Sequence, residues 1–123
     1  MLFLDLDRFK DVNDHFGHAA GDLVLKEVAK RLALHSRDED TVCRYGGDEF
    51  LFLLVNPQGA DNVLAIVEAI TASVSAPVDL GGTSVLIGSS IGVAFYPDNG
   101  ASGSQLIAFA DAAMYEIKRR RQS

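Results

Sequence analysis

A chain of 123 residues, 48% hydrophobic and 23% charged, can bury one core and has the composition of a soluble globular domain. Its net charge of −6 and pI of 4.8 argue against a general nucleic-acid binder. The single cysteine, Cys43, excludes an internal disulfide and fits a reducing cytoplasm as a small buried strand residue, and no apolar run approaches the roughly 18 residues of a membrane span.

Leu2-Phe3-Leu4 runs into Asp5-Leu6-Asp7, which predicts a buried strand emerging at an acidic mouth. Phe9, Val12 and Phe16 recur at helical spacing until Gly17 ends the segment. Gly21-Asp22 opens a second helix with Leu25, Val28, Ala29 and Leu32 on one face. The charged connection Arg37 to Asp40 leads into a strand over Thr41 to Tyr45. Phe50 to Val55 is apolar throughout, which predicts a strand covered on both sides. Asn56 to Asp61 is a loop, followed by a helix over about Asn62 to Ser75 that turns Val63, Ile66, Val67 and Ile70 inward. Pro77 to Leu80, the turn Gly81-Gly82 and Ser84 to Phe95 read as a second hairpin. After the loop Pro97 to Gly103, Ser104 caps a last helix that buries Leu106, Ile107, Ala110 and Met114. It ends in the basic run Lys118-Arg119-Arg120-Arg121, which suits a solvated helix C-terminus. The order of elements predicts an α/β (α+β) layer, with helices covering a mixed, mainly antiparallel sheet in a single domain over residues 1–123.

The chain is organised around Arg44-Tyr45-Gly46-Gly47-Asp48-Glu49-Phe50. Paired glycines between strand-like runs make a tight hairpin turn, because glycine reaches positive φ without steric cost. Asp48 and Glu49 follow at its tip, although an ordinary solvated turn has the same composition. Asp5 closes the first strand, and neighbouring strand ends can bring it close to Asp48. Two such carboxylates repel unless a cation relieves them, and Mg2+ takes one or two carboxylates, a backbone carbonyl and substrate phosphates. Lys10 could neutralise phosphate, and the amides around Arg8 and Phe9 could cradle it. Asn13 and Asp22 have the groups to read a purine edge, but a polar helix face and an N-cap explain them equally well. His18 sits between Gly17 and Ala19, as a loop histidine does, and no second His or Cys stands at zinc spacing.

Taken together, Asp5-Leu6-Asp7-Arg8-Phe9-Lys10, Asn13, Phe16-Gly17-His18, Gly21-Asp22, the stretch from Arg44 to Phe50, Ser90-Ile91-Gly92-Val93-Ala94, Ala110-Asp111, Met114-Tyr115 and Lys118 resemble the GGDEF domains of bacterial diguanylate cyclases. The resemblance implies a palm-like fold related to class III nucleotide cyclases. It also implies condensation of two GTP to cyclic di-GMP and two pyrophosphates, with Mg2+ or Mn2+, by a homodimer whose two sites face each other.

On that resemblance Asp5, the Leu6 carbonyl and Asp48 correspond to metal ligands. Glu49 corresponds to the proton acceptor for the 3′-hydroxyl, and Asp48, Lys10 and Arg44 stand with it in the catalytic set. Phe9, Asn13, His18, Asp22, Gly47 and Lys118 fall at substrate-binding positions, with Lys118 on phosphate. Arg37 and Asp40 fit the RxxD product-inhibition site, with residues 41–45 between Asp40 and Gly46. The family's preceding helical segment and any sensory domain are absent from this chain, and Gln122 stands where an arginine is expected. The rival expectation is an inactive GGDEF domain that binds GTP or cyclic di-GMP as a regulatory module.

Overall fold

The computed structural model describes residues 1–122; the Gln122 side chain and Ser123, and with them the expectation about Gln122, lie outside the described residues. Strand β1 (Leu2–Asp7) is the middle of the fold. It pairs antiparallel with β3 (Glu49–Leu53) on one side and β6 (Gly88–Val93) on the other, and β2 (Thr41–Gly46) adds to β3, giving the order β2-β3-β1-β6. Every ladder among the described residues is antiparallel, including the small β4 (Val78–Asp79) and β5 (Ser84–Val85) pair.

Alternation along β1 sends Leu2, Leu4 and Leu6 to one face and Phe3 to the other, and all four are buried. The first face carries the larger core. It is covered by α1 (Phe9–Phe16), α2 (His18–Ala33) and α3 (Ala60–Val74), which contribute Val12, Val24, Leu25, Val28, Leu32, Val63, Ile70 and Val74. Each such side chain contributes about 2 kcal/mol of transfer free energy. The second face packs Phe3 and Ala94 against Leu106, Ala110 and Met114 of α4 (Gly103–Gln122). Gly92 lets α4 approach: a Cβ there would run into the Ala110 carbonyl and the Met114 amide. Helices therefore cover both faces of a mainly antiparallel sheet, as the palm-like α+β expectation requires.

Five local expectations are corrected. Helix α2 starts at His18 rather than Gly21, because Gly17 at φ 89° makes the break on its own, so Asp22 lies inside the helix and is no N-cap. Ser104 does not cap α4. The Ser102 hydroxyl accepts from the Gln105 amide at 3.3 Å, while the Gln105 carboxamide accepts from the Ala101 amide at 2.8 Å. The second hairpin ends at Val85, and β6 leaves it to pair with β1. Finally, β3 is not covered on both sides and Cys43 is exposed, because α4 lies over β1 and β6 and leaves the outer half of that face open. Leu53 at 41% and Tyr45 at 54% exposure lie on this open half, where Tyr45 meets Phe3 edge-on at 5.7 Å.

Candidate active site

The mouth of the site is built from strand ends. Asp5 lies opposite Glu49 in the β1–β3 ladder, and the Leu6 amide donates to the Asp48 carbonyl at 3.2 Å. Between them the chain turns through Gly47 at φ 44°, a conformation that costs glycine nothing. Arg44 Nε donates to the Gly47 carbonyl at 2.8 Å, holding the tip from inside the same hairpin. A bulge between Arg44 and Gly46 turns the end of β2 beside this tip.

Beside the mouth, α1 and α2 form the wall of a cavity of about 420 Å³. Phe9, Lys10, Asn13, His18, Asp22, Leu25, Arg44, Gly47 and Asp48 line it. Nearly every residue assigned to nucleotide contact is thus brought to one place. Gly21 explains the seating of Asn13, since a Cβ on Gly21 would collide with the Asn13 side chain. Arg8 takes the left-handed φ of 58° just before α1, turning the chain sharply from β1 into the cavity wall.

The electrostatics at the mouth are those of crowded carboxylates. Burial raises the Asp5 carboxyl to about 6; hydrogen bonding from Lys118 opposes this, and the nearby Asp48 adds to it. Burial likewise raises Glu49, with the charges of Asp111 and Asp48 adding to the effect. Asp111 on α4 is therefore a neighbour that the sequence reading left without a role. Asp5 Oδ1 is buried and has no hydrogen-bond partner, so it fits a cation. Among the described residues no group of three or more His, Cys, Asp or Glu could hold a metal. A cation here would rely on Asp5, the Leu6 carbonyl and Asp48, with oxygen atoms of a bound phosphate completing its shell.

Lys118 does not line the cavity. Its Nζ donates to Asp5 Oδ2 at 3.0 Å and to the Leu6 carbonyl at 3.3 Å. One turn on, Arg121 donates to Asp7 Oδ2 at 3.1 Å and to the Ser89 carbonyl at 2.6 Å. Asp7 Oδ1 also accepts from the buried Ser90 hydroxyl at 2.7 Å. Asp7 therefore joins β1, β6 and α4, a role that a reading of it as a strand-end charge does not give.

Arg37 and Asp40 lie together, away from the cavity. Arg37 forks onto Asp40 at 3.0 and 3.1 Å and donates to the Val55 carbonyl at 2.7 Å. Asp40 also accepts from the backbone amides of Arg37 and Val55, each at 3.0 Å. Burial alone would raise the Asp40 carboxyl, but these hydrogen bonds outweigh it and hold it below its ordinary value. The spacing therefore has a structural use: it staples the loop to the end of β3.

The whole chain, residues 1–123, matches the family model described as "Diguanylate cyclase, GGDEF domain". It is 44% identical over 118 residues to the bifunctional diguanylate cyclase/cyclic di-GMP phosphodiesterase MucR of Pseudomonas aeruginosa, covering 96% of this chain and 17% of MucR. It is also 44% identical over 121 residues to the diguanylate cyclase TpbB of the same species, covering 98% of this chain and 28% of TpbB. The chain therefore spans well under a third of each. The crystal structure of the TpbB GGDEF domain superposes with a TM-score of 0.93 at 44% identity, over 97% of this chain and 74% of that one. The coiled coil and GGDEF domain of DgcB from Caulobacter crescentus, solved in complex with c-di-GMP, gives a TM-score of 0.86 at 32% identity, over 97% and 63%. No helix among the described residues is long and apolar enough to cross a membrane.

Proposed function

The chain belongs to the GGDEF family of diguanylate cyclase domains, and on that premise we propose that it condenses two GTP molecules to cyclic di-GMP and two pyrophosphates. The observation that carries this reading is the cavity of about 420 Å³ that opens beside the Asp5, Asp48 and Glu49 carboxylates. Asn13 and Asp22 meet the guanine edge, the amide offering both a donor and an acceptor and the carboxylate accepting from N–H groups. Phe9 and His18 border the base, and Gly47 leaves room for the phosphates to approach the backbone. Lys10 and the first amides of α1 carry the phosphate charge.

Asp5, the Leu6 carbonyl and Asp48 would hold Mg2+ or Mn2+, which when bound supplies neutralisation of the charge that builds up at the α-phosphate. Glu49 accepts the proton of the ribose 3′-hydroxyl, a task its raised proton affinity suits. The 3′-oxygen attacks the α-phosphorus of the GTP held by a second copy of the domain. The new P–O bond forms as the bond to pyrophosphate breaks, and pyrophosphate departs with that electron pair. Arg44 lies at the hairpin tip, where it can stabilise the charge that develops. The same step in the other direction closes the ring, which suits a two-fold arrangement of two domains. An attached sensory or dimerising domain would set how often the two copies meet. Arg37 and Asp40 supply the groups for product inhibition: a guanidinium face for stacking on guanine and a carboxylate to accept from it.

The test is incubation with GTP and Mg2+, with chromatography of the products. Cyclic di-GMP that disappears in Asp48→Ala supports the cyclase reading. Silence from a chain forced to dimerise, combined with retained binding of GTP or cyclic di-GMP, makes the domain a regulatory module instead.

A further inference from the structure

Lys118 occupies the atoms that the reading above assigns to the cation. Its Nζ is bonded to Asp5 Oδ2 at 3.0 Å and to the Leu6 carbonyl at 3.3 Å, and it stands 3.9 Å from Asp7 Oδ1. We propose that Lys118 is a built-in counter-ion of the metal-free domain, displaced from Asp5 when a divalent cation binds and thereby freed to meet a phosphate. The proposal rests on the assignment of Asp5, the Leu6 carbonyl and Asp48 to a cation, and adds the residue that competes for them.

The geometry makes the displacement specific. Helix α4 is fixed one turn earlier, where Met114 is buried and Gly92 admits the helix backbone. It is fixed one turn later by Arg121 on Asp7 and the Ser89 carbonyl. The backbone of Lys118 therefore stays in place while its long side chain moves. An ammonium and a divalent cation on the same carboxylate repel each other, so the two compete for Asp5. Asp7 offers a second seat, already within 3.9 Å, so the lysine can leave Asp5 without leaving the mouth. An ammonium that has given up Asp5 is partly unpaired and becomes a donor for an incoming phosphate oxygen. Loading of the cation and presentation of the lysine to substrate are then one exchange.

The experiment is titration of the nucleotide-free chain with Mn2+, counting free ion by electron paramagnetic resonance. Lys118→Met keeps the stem of the side chain and removes the competitor, and the expected result is Mn2+ binding about tenfold tighter than in the parent chain, the order expected from removing one nearby unit charge. Adding Asp48→Asn should abolish that binding in both backgrounds. In the parent chain, the Lys118 ε-methylene carbon should shift in nuclear magnetic resonance spectra on saturation with Mg2+, which tests the exchange without a substitution. Binding that depends on Asp48 but is unchanged or weaker in Lys118→Met, or a Lys118 signal indifferent to Mg2+, overturns the counter-ion and leaves the cation site standing. Absence of any Asp48-dependent binding overturns both.

Discussion

Gly21 presents bare backbone to the side chain of Asn13, and no Cβ could stand between them. This contact lets α1 and α2 close around the cavity, and it fixes where the Asn13 amide points. Gly21→Ala should therefore push Asn13 out of its seat. The expected outcome is a loss of GTP affinity of about tenfold or more with selectivity over ATP eroded, while the helices stay folded. Binding measured by calorimetry with both nucleotides checks it, and circular dichroism guards against simple unfolding.

Asp5 gives a pH prediction with a definite sign. Its carboxyl is raised from 3.8 to about 6 in the fold, chiefly by burial, so between those values the folded chain holds a proton that the unfolded chain releases. The contribution of this group to stability is thus greatest in acid and falls as pH rises through about 6. A bound cation would remove that cost. Asp5→Asn should stabilise the metal-free chain near neutral pH by about 1 kcal/mol, allowing for solvent screening at the open mouth. It should also remove the stabilisation conferred by Mg2+. Thermal denaturation with and without Mg2+, repeated in acid where the difference should vanish, measures both effects.

The Asp40 carboxyl behaves in the opposite way. Held below its ordinary 3.8 by hydrogen bonds that outweigh its burial, it contributes stability that is present above that value and lost as pH falls through its folded pKa. Asp40→Asn should lower the denaturation midpoint near neutral pH by a few degrees, and the gap should close in strong acid. Arg37→Ala should raise the steady-state yield of cyclic di-GMP by blunting inhibition by added product. Unaltered inhibition would leave the pair as a loop staple alone.

Arg31 supplies the last prediction. Its guanidinium donates to the carbonyls of Ser73, Val74, Ala76 and Pro77 at 3.2, 3.3, 2.7 and 2.8 Å, and its Nε pairs with Glu27 at 3.1 Å. These are the orphan acceptors at the end of α3 and in the segment that follows it. Arg31→Met should cost about 2 kcal/mol in urea denaturation while leaving Mn2+ binding at the mouth unchanged.

The parts of this site legible in the sequence are those with short-range signatures. Gly46-Gly47 announces its turn because φ is a local property, and the cavity wall follows because Phe9, Asn13, His18 and Asp22 lie on two consecutive helices. Residues whose role depends on distant partners were not legible. Arg31 looks like a surface charge on α2 until the end of α3 is laid beside it. Asp7 looks like a strand end until Ser90 and Arg121 arrive from β6 and α4. Cys43 has the composition of a core residue, and only the position of α4 leaves it exposed. The departure of β6 from its expected hairpin carries no turn signal, because pairing with β1 fixes it.

The central position of β1 has a consequence for how the domain comes into being. Asp5 and Lys118 are separated by 113 positions, and Asp7 and Arg121 by 114. The mouth is thus assembled from contacts of very long range in sequence, which are slow to form because loop closure must precede them. During synthesis, β1, β2 and β3 can pair while α4 is still within the ribosome. For that interval Asp5 is without the Lys118 ammonium that pairs with it in the finished fold.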